Sequence, residues 1–160
     1  MLQNIRIMTA QCCSRRSLYT SRSLFIEKTS NIQSVAEQFQ LSPSTLSQAL
    51  THKSFKHGKV PNNERLQYLG RRSIEYFAVD LNKAKSAEEL KTIIKQTLEP
   101  QHLGARFDAL GLESNVQCTL PGGQISPSVK SQAVQALVGA VYHERGLNAA
   151  KEFVKKNIFV

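Results

Sequence analysis

The stretch "NNERLQYLGRRSIEY", residues 62–76, decides the fold expected for this chain of 160 residues. Its polar positions Glu64, Gln67 and Arg71 lie three and then four residues apart, so they share one helix face. That geometry suits a cluster of metal-binding carboxylates, yet only Glu64 is acidic. Apolar spacing predicts one long helix over residues 62–84. Its expected buried side consists of Leu66, Leu69, Ser73, Ile74, Phe77 and Leu81.

Helical patterns continue on both sides of this stretch. Ser42 and Pro43 predict the N-cap and first position of a helix, and Ser86 with Glu89 predicts a capping box. Gly146 is expected to end a helix. The predicted helices cover residues 31–40, 42–52, 62–84, 86–98, 101–112, 129–145 and 148 to the end, and the predicted loops cover 53–61 and 113–128, the second with a short extended piece. Because strands do not alternate with these helices, the prediction is an all-α domain.

The helix predicted over residues 129–145 is strongly apolar but carries two glutamines. Gln132 and Gln135 lie three residues apart, and Gly139 follows at the position where a missing side chain lets another backbone approach closely. Two helices that pack through small residues can place their polar stripes opposite each other. The alternative is that Gln67 and Gln135 are ordinary surface residues.

Composition narrows the class of protein. The chain has 21 Lys and Arg residues against 12 Asp and Glu, a formal net charge of +9, which favours an anionic partner. No apolar run approaches the roughly 18 residues of a membrane-spanning helix. The three cysteines form neither a zinc motif nor a convincing disulfide pair, so we expect a reducing compartment with Cys118 as a free thiol.

The first 25 residues differ from the rest of the chain. They are rich in Ser and Thr and contain no acidic residue, and their basic residues are Arg6, Arg15, Arg16 and Arg22. This pattern is typical of a mitochondrial targeting peptide that is removed after import. The alternative is a disordered arm that binds RNA. The helical pattern begins at residue 31, so the predicted domain covers residues 31–160.

Three blocks of sequence carry a family resemblance. "ALTHKSF" (49–55), "NNERLQYLG" (62–70) and "QALVGAVYHERG" (135–146) resemble, in order, the signature blocks of the ribonuclease III endonuclease domain. The resemblance covers roughly residues 31–160, and it implies an all-helical fold that dimerises through the signature helix. We expect no double-stranded-RNA-binding domain of the kind that often follows in this family. Active members of the family hydrolyse double-stranded RNA with divalent metal held by acidic residues.

The resemblance also implies where the metal ligands of active members would stand. The first acid is retained as Glu64, and the other four acidic positions fall on Gln67, Arg71, Gln132 and Gln135. Mg²⁺ requires anionic oxygen ligands, whereas glutamine is neutral and arginine is a permanent cation. We therefore expect no catalytic residues, no metal and no cofactor. Arg71 is expected to pair with Glu75 or Glu64, or else to face solvent or phosphate.

The loss of ligands implies a role without catalysis. Degenerate ribonuclease III domains occur in the mitochondrial large ribosomal subunit, and this chain resembles their shorter type. It is expected in the mitochondrial matrix as a structural ribosomal component that binds rRNA and a second ribonuclease III-like protein. One alternative is an inactive subunit that assists mitochondrial RNA processing. Another is an active, metal-dependent double-stranded-RNA endonuclease.

The resemblance and the basic composition predict two kinds of contact. Tyr68 occupies the family's interface aromatic position and is expected to touch the dimer partner, with core packing as the alternative. His52 is expected to be a hydrogen-bonded structural residue. The predicted RNA contacts lie in the basic loop and at helix ends: Lys53, Lys56, His57, Lys59, Arg65, Arg72, Lys151, Lys155 and Lys156. Each of these could instead be an ordinary solvated side chain.

Overall fold

The computed structural model describes residues 32–33, 35–119 and 124–159. The predicted targeting peptide, residues 1–25, lies outside the described residues. The first helix, α1, covers residues 35–39, and residues 32–33 are also helical. The helices that follow are α2 (Pro43–Ala49), α3 (Glu64–Leu81), α4 (Ala87–Thr97), α5 (Pro100–Ala109) and α6 (Pro127–Asn157), with 3₁₀ turns at Phe55–Gly58 and Glu113–Asn115.

The all-α prediction is correct. Within the described ranges the chain forms no strand, and its extended backbone is limited to one isolated bridge between Thr51 and Gln117. That bridge is the short extended piece expected in the second loop. No helix in the described part of the chain is long and apolar enough to cross a membrane.

Local sequence signals place the helix ends. The Ser42 hydroxyl accepts a hydrogen bond from the Thr45 amide, and Pro43 occupies the first turn of α2. Ser86 and Glu89 form the predicted capping box at the start of α4. These caps satisfy amide groups that have no partner inside the helix, so short polar motifs are enough to locate the ends.

Two helix boundaries can be compared with their predicted positions. Helix α3 begins at Glu64 and ends at Leu81, so it is shorter at both ends than the predicted range 62–84. Gly146 has φ +79° and interrupts the helical backbone inside α6, as its predicted role as a helix stop requires. That left-handed conformation suits glycine because the residue has no Cβ.

Helix α6 lies at the centre of the core. Every residue from Ala133 to Val141 is buried, because α3 and α5 both pack against this half of the helix. Phe77 of α3 and Phe107 of α5 are fully buried beside it. These buried apolar side chains belong to one hydrophobic core, whose burial stabilises the domain.

The buried side of α3 differs from the predicted one at two positions. Leu69 and Leu81 are partly exposed, whereas Gly70 and Ala78 are buried in the same helix. The buried stripe is therefore rotated toward small residues, because α3 approaches the backbone of α6 closely at Gly70. Apolar spacing alone favours large side chains and does not detect such a contact.

Candidate functional site

A contact between two glycines joins α3 to α6 beside the polar stripes. A Cβ built on Gly70 would lie 1.7 Å from the carbonyl oxygen of Gln135, and one built on Gly139 would lie 2.0 Å from that of Leu66. Both distances are far inside van der Waals contact, so neither position accepts a side chain without movement of the backbone. The close approach predicted at Gly139 is confirmed. Its partner Gly70 was not predicted.

This close approach brings the two glutamine positions together. The Nε2 atom of Gln67 donates a hydrogen bond to Oε1 of Gln135 at 3.4 Å, and Nε2 of Gln135 donates to Ser131 Oγ at 3.3 Å. Gln135 is only 6% exposed, so it is not an ordinary surface residue. Gln132 is partly exposed. The two predicted stripes therefore face each other, and their contact is an uncharged amide network.

The charged residues of the α3 stripe form separate ion pairs. Nε of Arg71 donates to Oε1 of Glu75 at 3.3 Å, and Nη1 of Arg72 donates to Oε2 of the same carboxylate at 2.8 Å. Glu64 instead accepts from Lys53 Nζ at 3.3 Å. The predicted pair of Arg71 with Glu75 is thus confirmed.

Within the chain, Arg71 does not pair with Glu64. Seven residues separate them on α3, a rise of about 10 Å, and Glu64 already faces the loop that holds Lys53. Both side chains of that surface pair are more than half exposed, so it contributes less than about 1 kcal/mol to stability.

The residues along the two stripes do not fit a divalent metal. They offer one carboxylate, on Glu64, which is paired with Lys53, and the amides of Gln67 and Gln135, which are bonded to each other. Nowhere in residues 32–33, 35–119 and 124–159 do three or more His, Cys, Asp or Glu side chains cluster in a way that could hold a metal ion. Neutral amides beside the Arg71 guanidinium make a poor donor set for Mg²⁺.

The predicted RNA contacts fall into groups near opposite ends of α3. Lys53, Lys56, His57 and Lys59 belong to the loop before α3, where Lys53 pairs with Glu64. Arg65 and Arg72 are exposed on α3 itself. Lys151, Lys155 and Lys156 belong to the last turns of α6, where Lys151 pairs with Asp80. Glu64 and Asp80 are about 24 Å apart along the helix axis. The nine predicted residues are therefore spread over the loop before α3, α3 itself and the last turns of α6.

Lys151 is not a free outward cation. Its Nζ atom lies 2.5 Å from Oδ2 of Asp80, and both side chains are mostly covered. The hydrogen bond to Lys151, with a second from Lys83, lowers the pKa of Asp80. The bond to Asp80 in turn raises the pKa of Lys151. This pair ties the end of α6 to the end of α3, whereas Lys155 and Lys156 remain exposed.

Tyr68 lies on the solvent side of α3. Its side chain is 66% exposed, so the alternative of core packing is wrong, and the Arg72 guanidinium lies 5.4 Å from its ring centre. Beside it opens a cleft of about 340 Å³ that is also lined by α2 and by His143. Tyr76 and Val79 are exposed farther along the same face. Their spacing of eight and eleven residues from Tyr68 is a sequence signal that these residues share one helix face.

The predicted roles of His52 and Cys118 agree with the structure. Nδ1 of His52 accepts a hydrogen bond from the Ser54 amide at 3.2 Å, and the His52 amide donates to the Gln117 carbonyl at 2.8 Å. The ring therefore orders the turn next to the bridge. Cys118 is a free thiol whose pKa is raised by burial.

Comparison with known proteins now identifies the fold. Residues 42–160 match the family model described as Ribonuclease-III-like. The chain belongs to the ribonuclease-III-like family. It is 37% identical over 115 residues to ribonuclease 3 of Sulfurovum sp., which covers 66% of this chain and 50% of that protein. Ribonuclease 3 of Campylobacter jejuni serotype O:6 is 35% identical over 133 residues, 74% of this chain and 55% of the relative.

Solved structures agree with this family assignment. The nuclease domain of ribonuclease III from Campylobacter jejuni superposes with a TM-score of 0.70 at 29% identity, covering 80% of this chain and 93% of that domain. A second structure of that domain, described for structural flexibility in a region involved in dimer formation, gives 0.68 at 25% identity and covers 81% and 99%. This ribonuclease-III-like chain spans about half the length of the curated relatives it matches.

Proposed function

We propose that this ribonuclease-III-like protein is a structural component of the mitochondrial large ribosomal subunit and has no nuclease activity. In this role it binds rRNA and pairs with a second ribonuclease-III-like protein. The observation that carries the proposal is the hydrogen bond between Gln67 and Gln135. It joins two positions at which the resemblance to active ribonucleases implies acidic metal ligands.

The chemistry of hydrolysis argues against activity at this contact. A divalent metal generates a nucleophile by lowering the pKa of bound water, and it does so when anionic oxygens hold it. Here the amide of Gln67 is satisfied by Gln135, and Arg71 adds a permanent positive charge on the same stripe. Two unit cations about 4 Å apart repel by roughly 4 kcal/mol at an effective dielectric near 20.

The distribution of charge supports a role in RNA binding. The chain carries a net charge of +9, and exposed lysines lie both in the loop before α3 and in the last turns of α6. Contacts to phosphate position a protein on RNA without reading its sequence. Separated cationic groups of this kind suit a folded rRNA that is recognised by its shape.

The exposed face of α3 supports pairing with a second protein. Tyr68, Tyr76 and Val79 are large apolar residues that remain 41–66% exposed in the isolated chain. Aromatic residues with a polar group are enriched in protein interfaces because they combine a large apolar area with hydrogen bonding. The Campylobacter nuclease domain has a region involved in dimer formation, and we assign the corresponding role here to this face.

The mitochondrial assignment rests on residues 1–25, whose Arg-rich, Ser-rich and acid-free composition is typical of import signals. Fusion of these residues to a fluorescent protein tests the assignment. We expect the fusion to colocalise with mitochondria and its Arg15→Glu, Arg16→Glu variant to remain outside. A cytosolic distribution of the unaltered fusion contradicts the proposed location.

The absence of nuclease activity is tested with the purified full-length protein. We expect it to leave double-stranded RNA intact with Mg²⁺ or Mn²⁺, under conditions in which a ribonuclease 3 relative cuts it. A Glu64→Ala variant is the matched control, because a contaminating nuclease would be unaffected by that change. Cleavage by the unaltered protein that disappears in Glu64→Ala overturns the proposal.

Sedimentation of mitochondrial extracts tests the ribosomal role. The protein should travel with the large ribosomal subunit in a gradient that contains high salt, and it should leave that fraction after RNase treatment. If it sediments instead with RNA-processing complexes, the alternative of an inactive processing subunit replaces the ribosomal one.

A further inference from the structure

A groove of about 800 Å³ runs between α3 and the helices α4 and α5. Three cations line it, Arg71 from α3 and Lys91 and Lys95 from α4. Its apolar lining includes Ile94 and Leu98. None of the nine cations predicted to contact RNA lines this groove.

The cations of the groove are not fully neutralised by the protein. The Glu75 carboxylate is shared between Nε of Arg71 and Nη1 of Arg72, which leaves both Nη atoms of Arg71 without an acceptor in the described part of the chain. Lys91 pairs with Glu88. Lys95 makes no ion pair or hydrogen bond with any described side chain. Glu99 is the remaining carboxylate of the lining.

The bond between Arg71 and Glu75 orients the guanidinium. One oxygen of Glu75 holds Nε, so the outer edge of the group, with its two Nη atoms, is presented for a second anion. A planar guanidinium edge matches two oxygens of a phosphate, and a nearby lysine adds a point charge. Lys95 supplies that charge from the facing helix.

The lining indicates recognition of a nucleic-acid backbone. The described residues of the groove include no aromatic side chain, so they offer no platform on which a base could stack. Ile94, Leu98 and Pro100 instead provide a smooth apolar surface next to the cations. Such a surface accommodates the apolar faces of ribose between two phosphates.

We propose that this groove binds the phosphodiester backbone of RNA directly, through Arg71 and Lys95, without a bridging metal ion. The inference rests on the RNA-binding part of the proposed function and adds a surface to it. The contact carries no sequence information because it reaches phosphate alone. It therefore serves to position the domain on RNA that other contacts also hold.

The test measures binding of the full-length protein to a 16-base-pair RNA duplex in EDTA, as a function of salt concentration. The variants are Lys95→Gln, Arg71→Gln and the pair of changes together. Lys85→Gln is the matched control, since Lys85 is an exposed lysine that precedes α4 and lies outside the groove. Thermal unfolding establishes that each variant is folded. Lys95→Gln is the cleanest variant because Lys95 forms no ion pair or side-chain hydrogen bond within residues 32–33, 35–119 and 124–159.

We expect each groove variant to bind about tenfold more weakly at roughly 0.1 M salt, and the salt slope of log K to become shallower by about 0.7–0.9 per lost phosphate contact. Lys85→Gln should change affinity less than twofold. If the folded groove variants bind as tightly as the unaltered protein, the groove proposal is wrong while RNA binding stands. If the unaltered protein does not bind the duplex in EDTA, the groove proposal again fails, and failure with Mg²⁺ as well removes the RNA-binding part of the proposed function.

Discussion

The two sides of helix α3 differ in what they tolerate. The side that faces α6 touches its backbone at Gly70 and is joined to it by the hydrogen bond from Gln67 to Gln135. At Gly70 there is no room for an additional atom. The solvent side presents Tyr68, Tyr76 and Val79, whose side chains are largely exposed in the isolated chain. One helix thus has an inner side set by the fold and an outer side free to serve a partner.

The largest expected effect comes from adding a methyl group at the inner side. Gly70→Ala places a Cβ 1.7 Å from the Gln135 carbonyl oxygen, so α3 and α6 must separate. We expect a loss of more than about 4 kcal/mol in the free energy of unfolding, measured by urea denaturation.

Gly104→Ala in α5 is the matched control for this change. Its Cβ would meet Pro127 at 3.8 Å, an ordinary van der Waals distance. Alanine has a higher helix propensity than glycine, so this variant should gain up to about 1 kcal/mol. Equal stability of the two variants would mean that the glycine contact does not set the distance between the helices.

The amide network should have a smaller effect. Gln135→Ala removes the acceptor of Gln67 and the donor to Ser131 from a buried site. A lost hydrogen bond in such a place costs about 1–3 kcal/mol, which equilibrium unfolding detects. Gln132→Ala, three residues earlier and partly exposed, should change stability by less than about 0.5 kcal/mol. The comparison fails if the two substitutions cost the same.

The ion pair at the far end of α3 predicts a pH dependence. Lys151 and Lys83 lower the pKa of Asp80 below its ordinary value of 3.8, so its contribution to stability is present above that pH and is lost as pH falls through the lowered pKa. Asp80→Asn should therefore lower the melting temperature at pH 7, and the difference from the unaltered protein should shrink toward pH 2.

Glu88→Gln is the control for the pH profile. Glu88 forms its pair with Lys91 at an 82% exposed position, so this variant should follow the unaltered protein at every pH. A melting-temperature difference for Asp80→Asn that stays constant down to pH 2 would show that the charge of Asp80 is not responsible.

The smallest expected effect on folding comes from the outer side. Tyr68→Ala removes an exposed ring and should change the free energy of unfolding by no more than about 0.5 kcal/mol. Loss of an aromatic anchor at a protein interface commonly costs 2 kcal/mol or more, so binding to the partner should weaken about thirtyfold or more, as isothermal titration calorimetry would report. Unchanged affinity would assign the interface to another surface.

Several features of the fold were predictable because they depend on neighbouring residues. The capping box of Ser86 and Glu89, the N-cap at Ser42 and the break at Gly146 all reflect local backbone chemistry. The pair of Arg71 with Glu75 follows from their four-residue spacing on one helix. The predicted burial of Leu69 was wrong, because burial depends on how distant helices meet.

The sequence by itself determined that the chain is helical, where most helices begin and end, and which positions on α3 and α6 are polar. Only the tertiary structure decided that Gly70 is the partner of Gly139 at the helix contact, that Gln67 bonds to Gln135, and that Arg71 lines a groove with Lys95. The reason is physical: helix formation is read from residues three or four apart, whereas these contacts join residues 24 to 69 positions apart, whose meeting depends on the packing of the whole core.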